Sequence, residues 1–92
     1  IKTFNDKETE KIFHLTPSKK LPPSIQQRAL RKLRMLNAAS ELQDLRVPPG
    51  NRLEALKGDR EGHYSIRINS QWRICFEWYK GDAFQVEISD YH

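Results

Sequence analysis

The sequence ends in Asp90, Tyr91 and His92, which carry a carboxylate, a phenol and an imidazole, and two arginines, Arg67 and Arg73, stand in the strands before them. These residue types suit phosphodiester chemistry. An imidazole titrates near neutrality and can give or take a proton, and the carboxylate at the end of the chain is expected to favour its protonated form. Guanidinium forks match phosphate oxygens, and fixed cations stabilise the charge that develops on phosphorus in the transition state. Asp90 is placed to orient or charge-pair such a site, and Tyr91 to stack on an unpaired base or donate a proton. With the 2′-hydroxyl of RNA as internal nucleophile the reaction needs no metal or cofactor. The three histidines, His14, His63 and His92, show no metal-ligand spacing.

The elements that must hold these groups are strands. Tyr64, Ile66 and Ile68 alternate with Ser65, Arg67 and Asn69, and after a turn at 69–71 Trp72, Ile74, Phe76 and Trp78 alternate with Arg73, Cys75, Glu77 and Tyr79. Successive strand residues point to opposite faces, so one face is a core and the other carries Arg67 and Arg73. A third strand over 83–89 sets Phe84, Val86 and Ile88 against Gln85, Glu87 and Ser89. Lys57 and Arg60 enter from the turn before the hairpin and Glu54 from a short strand over 53–56. The expectation is one neighbourhood of Lys57, Arg60, Arg67, Arg73, Asp90, Tyr91 and His92 on an open sheet face. The plainer readings are solvent-facing arginines, a frayed polar tail, and Trp72 and Trp78 as packing rather than base-stacking residues.

Upstream, residues 1–4 read as a first strand, and Asn5 with Glu8 has capping-box spacing for a helix to about residue 14. Residues 16–23 hold Pro17, Pro22 and Pro23 and form a connection. Ser24 with Gln27 opens a second helix to about residue 38, with Ile25, Ala29, Leu33 and Leu36 on its inner side. Arg28, Arg31, Lys32 and Arg34 fall opposite, as a solvated face in preference to a nucleic-acid stripe. Ser40 with Gln43 starts a short helical turn, which Pro48, Pro49 and Gly50 end. The order predicts an α+β fold, with an N-terminal strand and two to three helices on one face of a four- to five-stranded antiparallel sheet.

Ninety-two residues make a single domain, 1–92, and 37% hydrophobic with 30% charged residues is a globular composition. The formal charge of +4 favours a polyanionic partner or an acidic protein. No apolar run approaches the roughly 20 residues of a membrane span, and no signal peptide is visible, so a cytoplasmic protein without membrane contact is expected. One cysteine, Cys75, excludes an internal disulfide and reads as a packed side chain.

Longer stretches carry a resemblance. Asn51-Arg-Leu-Glu-Ala-Leu-Lys-Gly58, Ser65-Ile-Arg-Ile-Asn69, Gln71-Trp-Arg-Ile-Cys-Phe76 and Val86-Glu-Ile-Ser-Asp-Tyr-His92 resemble the HigB toxins of the RelE/ParE superfamily, the GraT-type toxins above all. Residues 31–39 and 41–50 extend the similarity to nearly the whole chain. It implies a RelE-like fold and a ribosome-dependent endoribonuclease, an mRNA interferase that cuts translated mRNA in the ribosomal A site and arrests growth. It also implies a helix-turn-helix antitoxin, HigA, through which the pair would reach operator DNA. By the resemblance, Asp90, Tyr91 and His92 match the catalytic tail, Arg73 a site arginine and Lys57 the lysine of the Leu-Lys-Gly motif. Where some HigB proteins carry a catalytic histidine, this chain has Glu54, which can act as a base but supplies no cation. Two other functions are compatible with such a fold: a ParE-like poison of DNA gyrase, and a module that binds RNA or the ribosome without cutting.

Overall fold

Four strands form one antiparallel sheet in the order β1 (Glu54–Ala55), β2 (His63–Arg67), β3 (Trp72–Tyr79), β4 (Asp82–Asp90), the meander that short connections predict. This is seen in a computed structural model that describes residues 1–90. Arg67 pairs with Arg73, Ser65 with Cys75 and His63 with Glu77, so these six side chains share one face. Ile66, Ile74 and Phe76 lie on the other face, wholly buried. The β2–β3 turn is closed by the Asn69 side chain, whose Oδ1 accepts from the backbone N–H of Gln71 at 2.9 Å and of Trp72 at 2.7 Å.

Helices α1 (Lys7–Phe13) and α2 (Pro23–Ala38) pack against the apolar face. Ile25, Ala29, Leu33 and Leu36 are all buried, as the helical spacing predicts, and they meet Ile66, Ile74, Phe76, Val86 and Ile88 in one cluster. Trp72 and Trp78 are half-buried against that cluster, which is the packing role expected of them. Three short 3₁₀ turns, Leu42–Arg46, Pro49–Asn51 and Gly58–Arg60, complete the element order.

The helix starts differ from the sequence expectations by one or two residues. Asp6, not Asn5, caps α1, its Oδ1 accepting from Thr9 N–H at 2.7 Å. Helix α2 begins at Pro23, not after Ser24, and has no side-chain cap because its N-cap residue is Pro22, which carries no side-chain acceptor; Pro23 at the first position has its φ preset for the helix. The Leu42–Arg46 turn begins after Glu41, where the Asp44 carboxylate accepts from the backbone N–H of both Ser40 and Glu41.

Two strand expectations are corrected. Residues 2–5 run beside β4 and bond to it through Lys2 N to Ala83 O (2.8 Å), Val86 N to Thr3 O (3.1 Å) and Asn5 N to Val86 O (2.9 Å). Only Phe4 and Val86 form a bridge, and it is parallel, so this segment covers the sheet edge without becoming a full strand. In β4 the register shifts opposite Cys75–Glu77, where Gln85 takes a left-handed φ of 54°. That bulge turns Ala83 into the core and pairs Phe84 with Glu77 on the polar face, reversing the alternation expected for them.

Candidate active site and cationic groove

The polar face of the sheet is not a uniform open platform. Ser65, Arg73 and Cys75 are buried on it, and Arg73 is only 7% exposed. Its Nε donates to Ser65 Oγ at 2.8 Å, and one terminal nitrogen donates to the Arg52 carbonyl at 2.7 Å. Arg52 sits in the left-handed region (φ 45°) at the end of the Pro49–Asn51 turn, and its carbonyl receives that donor. Arg73 is thus a guanidinium fixed in direction by acceptors from two elements. Arg67, opposite it, is half-buried and makes no side-chain hydrogen bond or ion pair among the described residues.

The strands separate the other expected site residues into two groups. Asp90 lies at the hairpin end of the sheet, paired with Trp72, and its Oδ2 accepts from Gln71 Nε2 at 3.1 Å. That end also holds Arg67 and Arg73, but on the opposite face, because Arg73 pairs with Arg67 and Ser89 while Asp90 shares the face of Trp72 and Ile88. Lys57 and Arg60 lie at the opposite end of β2, beside His63, because Leu56 N–H bonds to the His63 carbonyl. Arg60 lines a separate hollow of about 340 Å³ with His63, Glu77 and Glu87, where His63 Nε2 and Glu77 Oε2 are 3.7 Å apart. The single neighbourhood expected for all seven residues is therefore corrected: β2 holds Arg60 and Arg67 apart at its two ends. Glu54 is exposed on β1, paired with Ser65. Tyr91 and His92 lie outside the described residues.

The helix face read as merely solvated lines a wide concavity. Arg28, Arg31 and Lys32 of α2 face Arg67 and the turn residues Asn69 and Ser70 across a groove of about 680 Å³, with Met35, Gly50 and Ile68 completing its walls. Spacings of three, four and seven residues place positions 28, 31, 32 and 35 on one side of a helix, which was the signal available in the sequence. No described carboxylate comes within 4 Å of any of the four cations. Burial first, then the nearby Arg31 and Arg28, hold the Lys32 ammonium below the usual lysine pKa. Among the described residues no group of three or more His, Cys, Asp or Glu side chains could hold a metal ion.

The hairpin end of the sheet presents one buried and one half-buried guanidinium beside a groove lined by Arg28, Arg31 and Lys32, which makes this an α+β domain with a cationic concavity. Comparison with known proteins places it further. A profile of the HigB-like toxin family, the RelE-like toxin of the type II toxin–antitoxin system HigB, matches residues 2–92. Toxin HigB-1 of Vibrio cholerae serotype O1 is 42% identical over 86 residues, covering 92% of this chain and 90% of that protein. Endoribonuclease HigB of Proteus vulgaris is 34% identical over 92 residues, covering 100% of this chain and 99% of the relative. The chain belongs to the HigB-like family of RelE-type toxins, and its fold is the α+β arrangement expected of them. Membership in a toxin–antitoxin family implies an antitoxin partner. No helix among the described residues is long and apolar enough to cross a membrane.

Proposed function

We propose that this toxin is an endoribonuclease that enters the ribosomal A site, cuts translated mRNA without a metal, and is neutralised by a HigA-type helix-turn-helix antitoxin. The observation that supports the reading is that Arg67, Arg73 and Asp90, the first residue of the Asp90-Tyr91-His92 motif, stand at the same end of the sheet, the two arginines on one face and Asp90 on the other. A relative of matching length named Endoribonuclease HigB supports it.

In this reading the RNA 2′-oxygen attacks the adjacent phosphorus, and the 5′-oxygen leaves with a proton, giving a 2′,3′-cyclic phosphate. Arg73, held by Ser65 and Arg52, and Arg67 stabilise the extra negative charge on the phosphoryl oxygens. His92 gives the proton to the leaving oxygen; Asp90 and Tyr91 orient the scissile nucleotide. Glu54 is the candidate base for the 2′-hydroxyl. Lys57 and Arg60, at the far end of β2, are left to contact the RNA backbone beyond the cut.

Expression of the His92→Ala protein without antitoxin tests the assignment. Growth continues and the melting temperature stays at the wild-type value if His92 is the proton donor; full growth arrest by that variant contradicts it. A DNA-damage response with intact mRNA would instead indicate gyrase as the target.

A further inference from the structure

We propose that the groove between α2 and the β2–β3 turn is a built binding site for the phosphodiester backbone of RNA, and that Asn51 positions its central cation, Lys32. The proposal rests on the endoribonuclease reading for its substrate, and it adds a site and a positioning residue apart from the cutting end.

Asn51 is completely buried, and its carboxamide is fixed at both ends. On one side Nδ2 donates to the Leu45 carbonyl at 3.1 Å and the Val47 carbonyl at 3.4 Å, and contacts Met35 Sδ at 3.2 Å. On the other side Oδ1 accepts from Lys32 Nζ. A flipped amide would set oxygen against carbonyls and nitrogen against an ammonium, so these partners impose the orientation. A neutral oxygen, not a carboxylate, therefore holds Lys32. The ammonium keeps its full charge for a ligand and has two further N–H donors after the bond to Asn51.

The surroundings favour a polyanion. Arg28 and Arg31 on the same helix and Arg67 from β2 bring the groove to four cations, with no carboxylate within 4 Å among the described residues. Such concentrated charge costs stability unless a ligand uses it. Base reading is not what the turn offers, because the Asn69 Oδ1 is occupied by two backbone N–H groups. An acidic helix of a protein partner would want an apolar seam, and Met35 and Ile68 supply only a narrow one.

The test uses the purified, antitoxin-free toxin and a 2′-O-methylated oligonucleotide of adenine and cytosine. It cannot be cut by its own 2′-oxygen, and its bases lose no proton in alkali. Binding is titrated against salt and pH. Lys32→Gln weakens binding by about fivefold and lowers the salt slope by about 0.7, the share of one phosphate contact on a single strand. Wild-type binding weakens as pH rises through the depressed lysine value. Lys32→Arg keeps the affinity and removes that limb, and Asn51→Asp shifts the limb upward because a carboxylate favours the ammonium. Unchanged salt slope and affinity in Lys32→Gln overturn the site. If Asn51→Asp lowers the melting temperature but leaves the pH profile alone, its positioning role is overturned. Loss of antitoxin affinity in Lys32→Gln with oligonucleotide affinity intact assigns the groove to the antitoxin and overturns the RNA proposal. Groove binding by a toxin that cuts no mRNA on ribosomes upholds the site while rejecting the nuclease reading.

Discussion

Arg67 and Arg73 face each other directly across β2 and β3, yet Arg67 has no side-chain partner among the described residues and Arg73 is built in. Like charges at opposed positions of an antiparallel pair destabilise the sheet. The Ser65 hydroxyl and the Arg52 carbonyl draw the Arg73 guanidinium into the protein, while Arg67 is left half-exposed toward the groove. Disturbing the two arginines therefore has unlike effects. Ser65→Ala withdraws a buried acceptor from a charged donor and costs about 1.5 to 3 kcal/mol, measured by urea unfolding. Arg67→Ala leaves the unfolding midpoint unchanged or slightly raised, but lowers RNA cleavage. A destabilised Arg67→Ala protein would mean that this cation is structural after all.

A second relationship ties the first helix to the last strand. Thr9 is completely buried; its hydroxyl donates to Asp6 Oδ2 at 3.1 Å and accepts from Ile88 N–H at 2.9 Å. Thr9→Val keeps the shape and strands a buried backbone donor two residues before Asp90. A loss of about 1 to 3 kcal/mol is expected. Amide exchange at Ile88 should accelerate in the variant; unchanged protection there would show that another group takes over the bond.

Acid should loosen the connecting segments before neutral or mildly alkaline pH does. The backbone N–H groups of Glu41 and then Ser40 hold the Asp44 carboxyl below its usual pKa, and the Ser18 hydroxyl does the same for Glu8. A depressed carboxylate stabilises the fold fully above its unfolded value, and this is lost as pH falls through the lower folded one. Stability is thus flat, from these two groups, above the ordinary carboxylate range and declines below it. Asp44→Asn should shrink that decline in an acid unfolding series; an identical acid limb in the variant would remove Asp44 from the account.

Much of this architecture is legible in the residues because burial is two-sided and periodic. The α2 positions Ile25, Ala29, Leu33 and Leu36 and the hairpin positions Ile66, Ile74 and Phe76 all lie where their spacing puts them. The caps were displaced because neighbouring polar residues compete locally: Asp6 wins over Asn5, and the Asp44 carboxylate takes the Ser40 and Glu41 donors. Nothing in the pattern announces the bulge at Gln85, which needs a left-handed residue in mid-strand and exchanges the faces of Ala83 and Phe84. Burial of Arg73 was equally hidden, since it depends on a carbonyl of Arg52, 21 residues away. The groove is a tertiary feature: Arg28, Arg31 and Lys32 show one-sided spacing, but only folding brings Arg67 opposite them and Asn51 beneath Lys32.

The central claim is ribosome-dependent cutting by the C-terminal motif, and cleavage on programmed ribosomes tests it most directly. Purified antitoxin-free toxin is added to ribosomes carrying a defined mRNA, and the products are mapped by primer extension beside a control without ribosomes. The account predicts cuts within the A-site codon, absent from the control and lost in the His92→Ala protein. Intact mRNA from a folded protein that still arrests growth would contradict it.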